Sequence, residues 1–242
     1  MQRFYLPQTL LGSQITLRDT GLYHQLTRVL RARVGEQVIF FDGVSLRDEV
    51  YEIATIDKQS VKCQKIQTLT KNSELTYSLH LFQALPHKLE KLEYIIEKGV
   101  EIGYRSFTFF PSERSQKLVL SDNKKARLEK IAQEALEQCG GNIIPQIEFY
   151  EENIIFSTSV PGVIRHIFCH TSGAHTQKLS DISLDSENQV GVYIGPEGGF
   201  SENEVEMMRD KGYTGVYFGS RILRCETVSS VVGFYLKQKK GD

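Results

Sequence analysis

Two regimes of hydrophobic patterning divide the chain. Up to about residue 70 the apolar positions come in short runs broken by turn residues. VIFFDG (38–43) stops at Asp42-Gly43, a hairpin-type dipeptide, and the strand candidates VYEIATI (50–56) and VKCQKI (61–66) follow. Between the first strands, HQLTRVLRARVG (24–35) predicts a short helix stopped by Gly35. Several short strands in so few residues point to a small β-barrel or sandwich. TLTKNSELT (68–76) has no apolar run and predicts a linker at 71–76 between a first domain, 1–70, and a second, 77–242.

From Tyr77 onward apolar strands alternate with helices, the signature of an α/β domain with a mainly parallel sheet. The strands are SLHLFQA (78–84), RSFTFFP (105–111), GVIRHIFC (162–169), QVGVYIG (189–195) and TGVYFG (214–219). A helix beginning at Pro86 places Leu89, Leu92, Ile96 and Val100 on one face and ends at Gly103. A second, from about Asp122, carries a stripe of Leu128, Ile131, Ala132, Ala135, Leu136 and Cys139 and is closed by Gly140 and Gly141. The last helix gathers Val228, Val231, Val232, Tyr235 and Leu236 on its apolar face.

Composition narrows the function classes. The chain has 242 residues, 40% hydrophobic and 24% charged, with a formal net charge of -1, enough for a sizeable core and too balanced for a strongly basic nucleic-acid binder. No apolar run approaches the roughly 20 residues of a membrane span, and the opening MQRFYLPQTLLGSQ lacks a signal-type run, so a cytoplasmic protein without membrane contact is expected. Cys63, Cys139, Cys169 and Cys225 lie far apart with no CxxC pair, which predicts four buried, reduced thiols and no metal site. Charge is unevenly spread: residues 1 to 33 hold five arginines (Arg3, Arg18, Arg28, Arg31, Arg33) against the single Asp19. Arg3, Arg28, Arg31 and Arg33 of this stretch form a candidate electrostatic footprint for phosphates.

The densest chemistry lies in Val192–Glu204, where an apolar strand runs into Gly195-Pro196-Glu197-Gly198-Gly199 and then a helix. Ser201 with Glu204 forms a capping box, worth about 1 kcal/mol, and Gly212 ends the helix. A glycine loop at the carboxyl end of a strand is where open α/β sheets bind ligands. GxxxxGK[ST], GxGxxG and GxSxG are all absent from the chain, which disfavours nucleotide hydrolysis, dinucleotide binding and a serine-nucleophile hydrolase. A second loop, Phe218–Thr227 (FGSRILRCET), again joins strand to helix and carries Arg221, Arg224 and Glu226.

The pair IGPEGGFSxxE (194–204) and GxRILRxET (219–227) resembles the ribosomal RNA small-subunit methyltransferase E family of the SPOUT superfamily. RFYL (3–6), the VLR run ending at Arg31, KLEKLEYIIEKGVEIG (88–103), PSERS (111–115) and KIAQEALEQCGGNIIPQI (130–147) extend the resemblance over nearly the whole chain. The resemblance implies methylation of N3 of one uridine in the decoding region of 16S rRNA, within the assembled small ribosomal subunit, with S-adenosyl-L-methionine as donor. It implies a PUA-like N-terminal β-barrel, a C-terminal trefoil-knotted α/β domain and a homodimer. The cofactor pocket would comprise His170, Thr171, Ile194, Gly195 to Gly199, Phe218, Gly219, Ile222, Leu223, Arg224 and Thr227. Arg224 would steady negative charge on the uracil oxygens and Glu226 would accept the N3 proton, with Arg114 of PSERS a further RNA contact. Two other classes compete: a methyltransferase of this fold with another RNA target, and a non-enzymatic RNA-binding module.

Overall fold

The computed structural model describes residues 1–7, 11–18, 21–70, 73–156, 165–171, 176–184 and 188–241. Its contacts separate two units, Met1–Glu74 with Leu136–Ile144, and Leu75–Ala135 with Pro145–Asp242. The division after Glu74 falls within the stretch read as a linker. The return of 136–144 to the first unit has no signature in local patterning.

The first unit is built on β1 (Gln2–Tyr5), β2 (Gln14–Arg18), β3 (Gln37–Phe41), β4 (Arg47–Ile56) and β5 (Ser60–Thr70), in the order β1-β3-β4-β5-β2. Only the β1–β3 pair is parallel. Alternation sets one buried face: Ile15 and Leu17 point in while Gln14, Thr16 and Arg18 point out. That face packs with Phe4, Phe40, Tyr51 and Ile53. Register shifts at Val50/Tyr51 and Ile53/Thr55 add local bend and twist to the long β4–β5 pair. The β3–β4 connection is longer than a two-residue turn, because the Asp42 carboxylate accepts the Val44 and Ser45 N–H groups at 3.0 and 2.7 Å and organises a wider loop.

Two expectations for this unit are corrected. The predicted helix over 24–35 is instead a short turn, α1 (Gly21–His24), continued by a π-turn over Gln25–Val29. Wide bonds close it, Leu30 N–H to Gln25 O and Ala32 N–H to Leu26 O, and Arg31 turns left-handed (φ 52°) well before Gly35. Arg28, Arg31 and Arg33 stand exposed on this segment. Arg3, by contrast, is buried: Nη2 meets Asp48 Oδ1 at 2.9 Å, Nη1 donates to the Leu136 carbonyl at 3.1 Å, and the guanidinium lies 3.7 Å from the Phe41 ring centre. It is a core cation with every face committed, so it leaves the phosphate-binding set.

The second unit holds β6 (Ser78–Ala84), α2 (Leu89–Ile102), β7 (Ser106–Phe110), α3 (Asp122–Cys139, whose last turn belongs to the first unit), β8 (Gln146–Phe149), β9 (Arg165–Cys169), β10 (Gln177–Lys178), β11 (Gln189–Ile194), α4 (Glu202–Asp210), β12 (Thr214–Tyr217) and α5 (Cys225–Lys240). The strands form one parallel sheet, β10-β12-β9-β11-β6-β7-β8. The inner strands read as continuous apolar runs because both faces are covered. One face takes α4 through Phe200 and Met208 against Phe82, Phe110, Phe168 and Tyr193. β8 and β10 escaped the sequence reading, since QIEF shows only four alternating residues and Gln177–Lys178 no pattern at all.

α5 buries Val228, Val232 and Leu236 of the expected stripe, and with them the small residues Ser229 and Gly233. A Cβ at Gly233 would lie 2.6 Å from the Tyr104 ring, and the Tyr104 hydroxyl donates to the Ser229 carbonyl at 2.9 Å. This close approach buries Ser229 and Gly233 and leaves Val231 (41%) and Phe234 (57%) exposed. Cys139, expected inside, is exposed beyond the buried stripe of α3, while Cys63 and Cys225 are buried and all four cysteines are free thiols. Among the described residues no helix is long and apolar enough to cross a membrane, and no cluster of His, Cys, Asp and Glu has a metal-binding arrangement.

Candidate functional site

β12, β9 and β11 are adjacent and parallel, so their carboxyl ends open on the same side of the sheet. The segments that follow them converge on a cavity of about 250 Å³. His170 and Thr171 line it from the end of β9; Ile194, Gly195, Pro196, Glu197 and Gly199 from the end of β11; Phe218, Gly219, Ile222, Leu223 and Arg224 from the end of β12. Of the residues expected here, Gly198 and Thr227 are not in the wall. Gly198 faces outward, where its carbonyl accepts from Arg114, and Thr227 is exposed in the first turn of α5 with its N–H on the Arg224 carbonyl. Lys91, Cys169, Ser220, Cys225 and Val228 complete the lining together with Arg221.

The glycine loop has little freedom. A side chain at Gly195 would collide with the backbone of Gly199 and Phe200 at 2.9 Å, and Gly199 itself adopts φ +68°. Its Pro196–Gly199 turn is closed by a 2.9 Å backbone bond. The capping box then forms as expected: Ser201 Oγ accepts the Glu204 N–H at 3.1 Å and Glu204 accepts the Ser201 N–H at 2.8 Å. Glu204 is fully buried because its other oxygen takes the Glu113 N–H and the Asn153 amide at 2.9 and 2.7 Å. Arg114, expected at RNA, spends its guanidinium on the Gly198 and Phe200 carbonyls, 3.1 Å each, and so braces the same loop from outside.

Charge in the wall is paired unequally. Lys91, only 17% exposed along its side chain, reaches Glu197 at 3.0 Å and Glu226 at 3.3 Å. Burial works against ionising Glu197, yet Lys91, its own backbone and His87, 2.5 Å away, outweigh it and hold the carboxyl down at about 2. Glu226 is likewise opposed by burial but held below its ordinary value by its backbone, by the Cys225 thiol at 3.2 Å and by Lys91. Burial, aided by Glu226, pushes the Cys225 thiol up to about 12. The pKa of His170 is lowered by burial and by the nearby Arg114 cation, both of which disfavour its protonated form. Arg221 and Arg224 are exposed, and among the described residues neither guanidinium has an ion-pair partner.

A parallel sheet ending in two glycine-bearing loops around an apolar, backbone-rich cavity invites comparison with known proteins. Residues 73–236 match the family model described as an RNA methyltransferase domain. Across the whole of both chains, this protein is 30% identical to the ribosomal RNA small subunit methyltransferase E of Bacillus subtilis. The chain belongs to the ribosomal RNA small subunit methyltransferase E family. A second relative, ribosomal RNA small subunit methyltransferase E 2 of Borreliella burgdorferi, is 31% identical over 90% of this chain and 88% of its own. Among solved structures, the family member from Neisseria gonorrhoeae bound to S-adenosyl methionine superposes with a TM-score of 0.86 at 27% identity, covering 98% of this chain and 97% of that one. Against the family's motif as read from sequence, the structure adds Lys91. The one local hint in the sequence is its place in the first turn of a helix, where the dipole disfavours a cation.

Proposed function

We propose that the protein methylates N3 of a uridine in the decoding region of 16S rRNA within the assembled small ribosomal subunit, with S-adenosylmethionine as donor. The observation that carries this reading is the cavity formed where three adjacent parallel strands end, walled by the family's two loops. The first unit then serves as a PUA-like barrel that docks RNA through Arg28, Arg31 and Arg33, and the second as the trefoil-knotted transfer domain. A homodimer is supported by the exposed Val231 and Phe234 of α5, a pair one helical turn apart with no cover of their own. The setting is cytoplasmic.

The cavity suits the donor. Ile194, Leu223 and Val228 offer apolar contact for an adenine ring, the glycine backbone offers hydrogen bonds without side chains in the way, and Glu197 brings negative charge to a ligand that carries two cationic centres. When bound, S-adenosylmethionine supplies an electrophilic methyl group on a sulfonium. The chain's residues do the rest. N3 lies on the Watson–Crick edge of uracil, so the base must be presented unpaired to the cavity mouth. Arg224, the exposed N-cap of α5 and without an ion-pair partner among the described residues, stabilises negative charge that spreads to the uracil oxygens as the N3 proton leaves. Glu226 does not fit the role of proton acceptor expected for it: its carboxylate is tied to Lys91 and the Cys225 thiol, and its lowered pKa makes it a poor base. Its place is that of a structural anion.

Transfer of labelled methyl from S-adenosylmethionine to intact small subunits and to naked rRNA, followed by mass spectrometry of the nucleosides, tests this reading. Label is expected in intact subunits, as N3-methyluridine. Label in another nucleoside would indicate a different RNA target. Absence of cofactor binding by calorimetry would leave only an RNA-binding module.

A further inference from the structure

The loop after β11 and the start of α5 form two of the walls of the cavity, and among the described residues no hydrogen bond or ion pair joins them directly. Glu197 is on the first, Glu226 on the second, and Lys91 of α2 touches both, at 3.0 and 3.3 Å. We propose that Lys91 is a positioning residue that clamps the two cofactor loops at their working separation before any ligand arrives. This rests on the methyltransferase reading given above.

Nothing within α2 calls for a lysine here. Residue 91 is in the first turn, where the unsatisfied N–H groups repel a cation, and the preceding Lys88, the N-cap, provides no side-chain cap. The side chain is nevertheless largely buried, which for lysine requires compensating anions. Both anions are in place for other reasons. Glu226 is in the first turn of α5, a position favourable to negative charge, and Glu197 is presented by the rigid turn that Gly195 and Gly199 impose. A third group, His87, sits on Glu197 and adds a further tie from the segment preceding α2.

The clamp also decides which charges the cavity offers. Glu197 and Glu226 share one ammonium, and burial is outweighed by these bonds so that Lys91 stays protonated. Both carboxylates are weakened as bases and turned toward Lys91. Removing Lys91 would leave two partly buried carboxylates to repel one another across the cavity, a change that pushes the loops apart.

The test uses the full chain and the variants Lys91→Ala, Lys91→Arg, Glu197→Gln with Glu226→Gln, and the triple combination. Amide exchange of the cofactor-free protein is expected to quicken at 195–200 and 225–228 in Lys91→Ala, with the rest of the second unit unchanged. Calorimetry should show S-adenosylmethionine binding weakened by about tenfold or more, the loss expected for charged hydrogen bonds. In kinetics kcat should fall while KM for small subunits is retained. Lys91→Arg should recover most of the affinity, and Lys91→Ala should cost little further once both carboxylates are neutral. Lys91→Met, which keeps the apolar stem, serves in place of the alanine variant if that one does not fold. Unchanged loop exchange, or an equal loss of affinity with and without the two carboxylates, would overturn the clamp while leaving the methyltransferase reading intact. A wild-type protein that bound no S-adenosylmethionine would overturn both.

Discussion

One methyl group at residue 195 measures how far the cavity depends on backbone contact. In Gly195→Ala the new Cβ lies 2.9 Å from the Gly199 carbonyl carbon, 2.9 Å from the Phe200 nitrogen and 3.1 Å from Gly199 Cα. Carbon contacts are most favourable at about 3.5–4.0 Å, so the clash is more than half an ångström, and its partners are main-chain atoms that no rotamer change can move. Relief requires opening the Pro196–Gly199 turn, which is anchored on one side by the buried Phe200 and on the other by the Gln83 amide on the Gly195 carbonyl at 3.2 Å. Overpacking of this kind costs about 1–3 kcal/mol, or a fall in Tm of roughly 2–12 °C for a chain of this size. Because the loop backbone is cavity wall, S-adenosylmethionine affinity should fall by about tenfold or more alongside. Gly198→Ala is the control, since its Cβ meets Arg114 on the outer surface, side-chain atoms at 3.3 and 3.6 Å and the carbonyl oxygen only at an ordinary contact distance of 3.9 Å. Thermal denaturation and calorimetry read both quantities. A Gly195→Ala protein that melts and binds like wild type, or a Gly198→Ala protein damaged as severely, would refute the reasoning.

Three further outcomes follow from the geometry. Arg224→Ala should lower kcat by about 10²–10³, as loss of a charge-stabilising donor does elsewhere, with cofactor affinity nearly unchanged in calorimetry; equal loss of affinity would make Arg224 a binding residue. Replacing Arg28, Arg31 and Arg33 singly by Ala should reduce the salt slope of RNA binding by about 0.7 to 0.9 for each lost phosphate contact, whereas Arg3→Ala should lower Tm and leave the slope alone. Glu197 is held at about 2 against an ordinary 4.5. A depressed carboxylate stabilises the fold fully above its unfolded value and loses that contribution as pH falls through the folded one. The Tm gap between wild type and Glu197→Gln should therefore be constant above about pH 5 and close as pH drops toward 2; a gap that persisted at low pH would show that ionisation is not its source.

What could be read in the sequence was whatever is decided within a few residues. The capping box at Ser201 and Glu204, the Gly103 stop of α2 and the apolar runs of β6, β7, β9, β11 and β12 are local, and the structure has them. The glycines of both cavity loops were legible for the same reason. What escaped depends on partners far along the chain. Arg3 counted as a free cation until Asp48, 45 residues away, and the Leu136 carbonyl, 133 away, took it into the core. Hydrophobicity found Val228, Val232 and Leu236 on the buried face of α5, but not Gly233, which is buried because the Tyr104 ring leaves no room for a Cβ there. Lys91 drew no notice in the sequence because both its carboxylates lie more than a hundred residues downstream.

The same pairing alters what charge balance means at the cavity. Counted by residue, its walls and rim hold three cations, Lys91, Arg221 and Arg224, against Glu197 and Glu226, a near-cancellation like the -1 of the whole chain. Counted by bond, both carboxylates are spent on Lys91, and the arginines are left exposed. The uncommitted charge at the cavity is therefore positive, while the negative charge is gathered on Lys91. A cationic cofactor and a polyanionic substrate call for opposite fields within a few ångströms of each other, and a lysine that draws both carboxylates to one side provides that separation without any excess of basic residues.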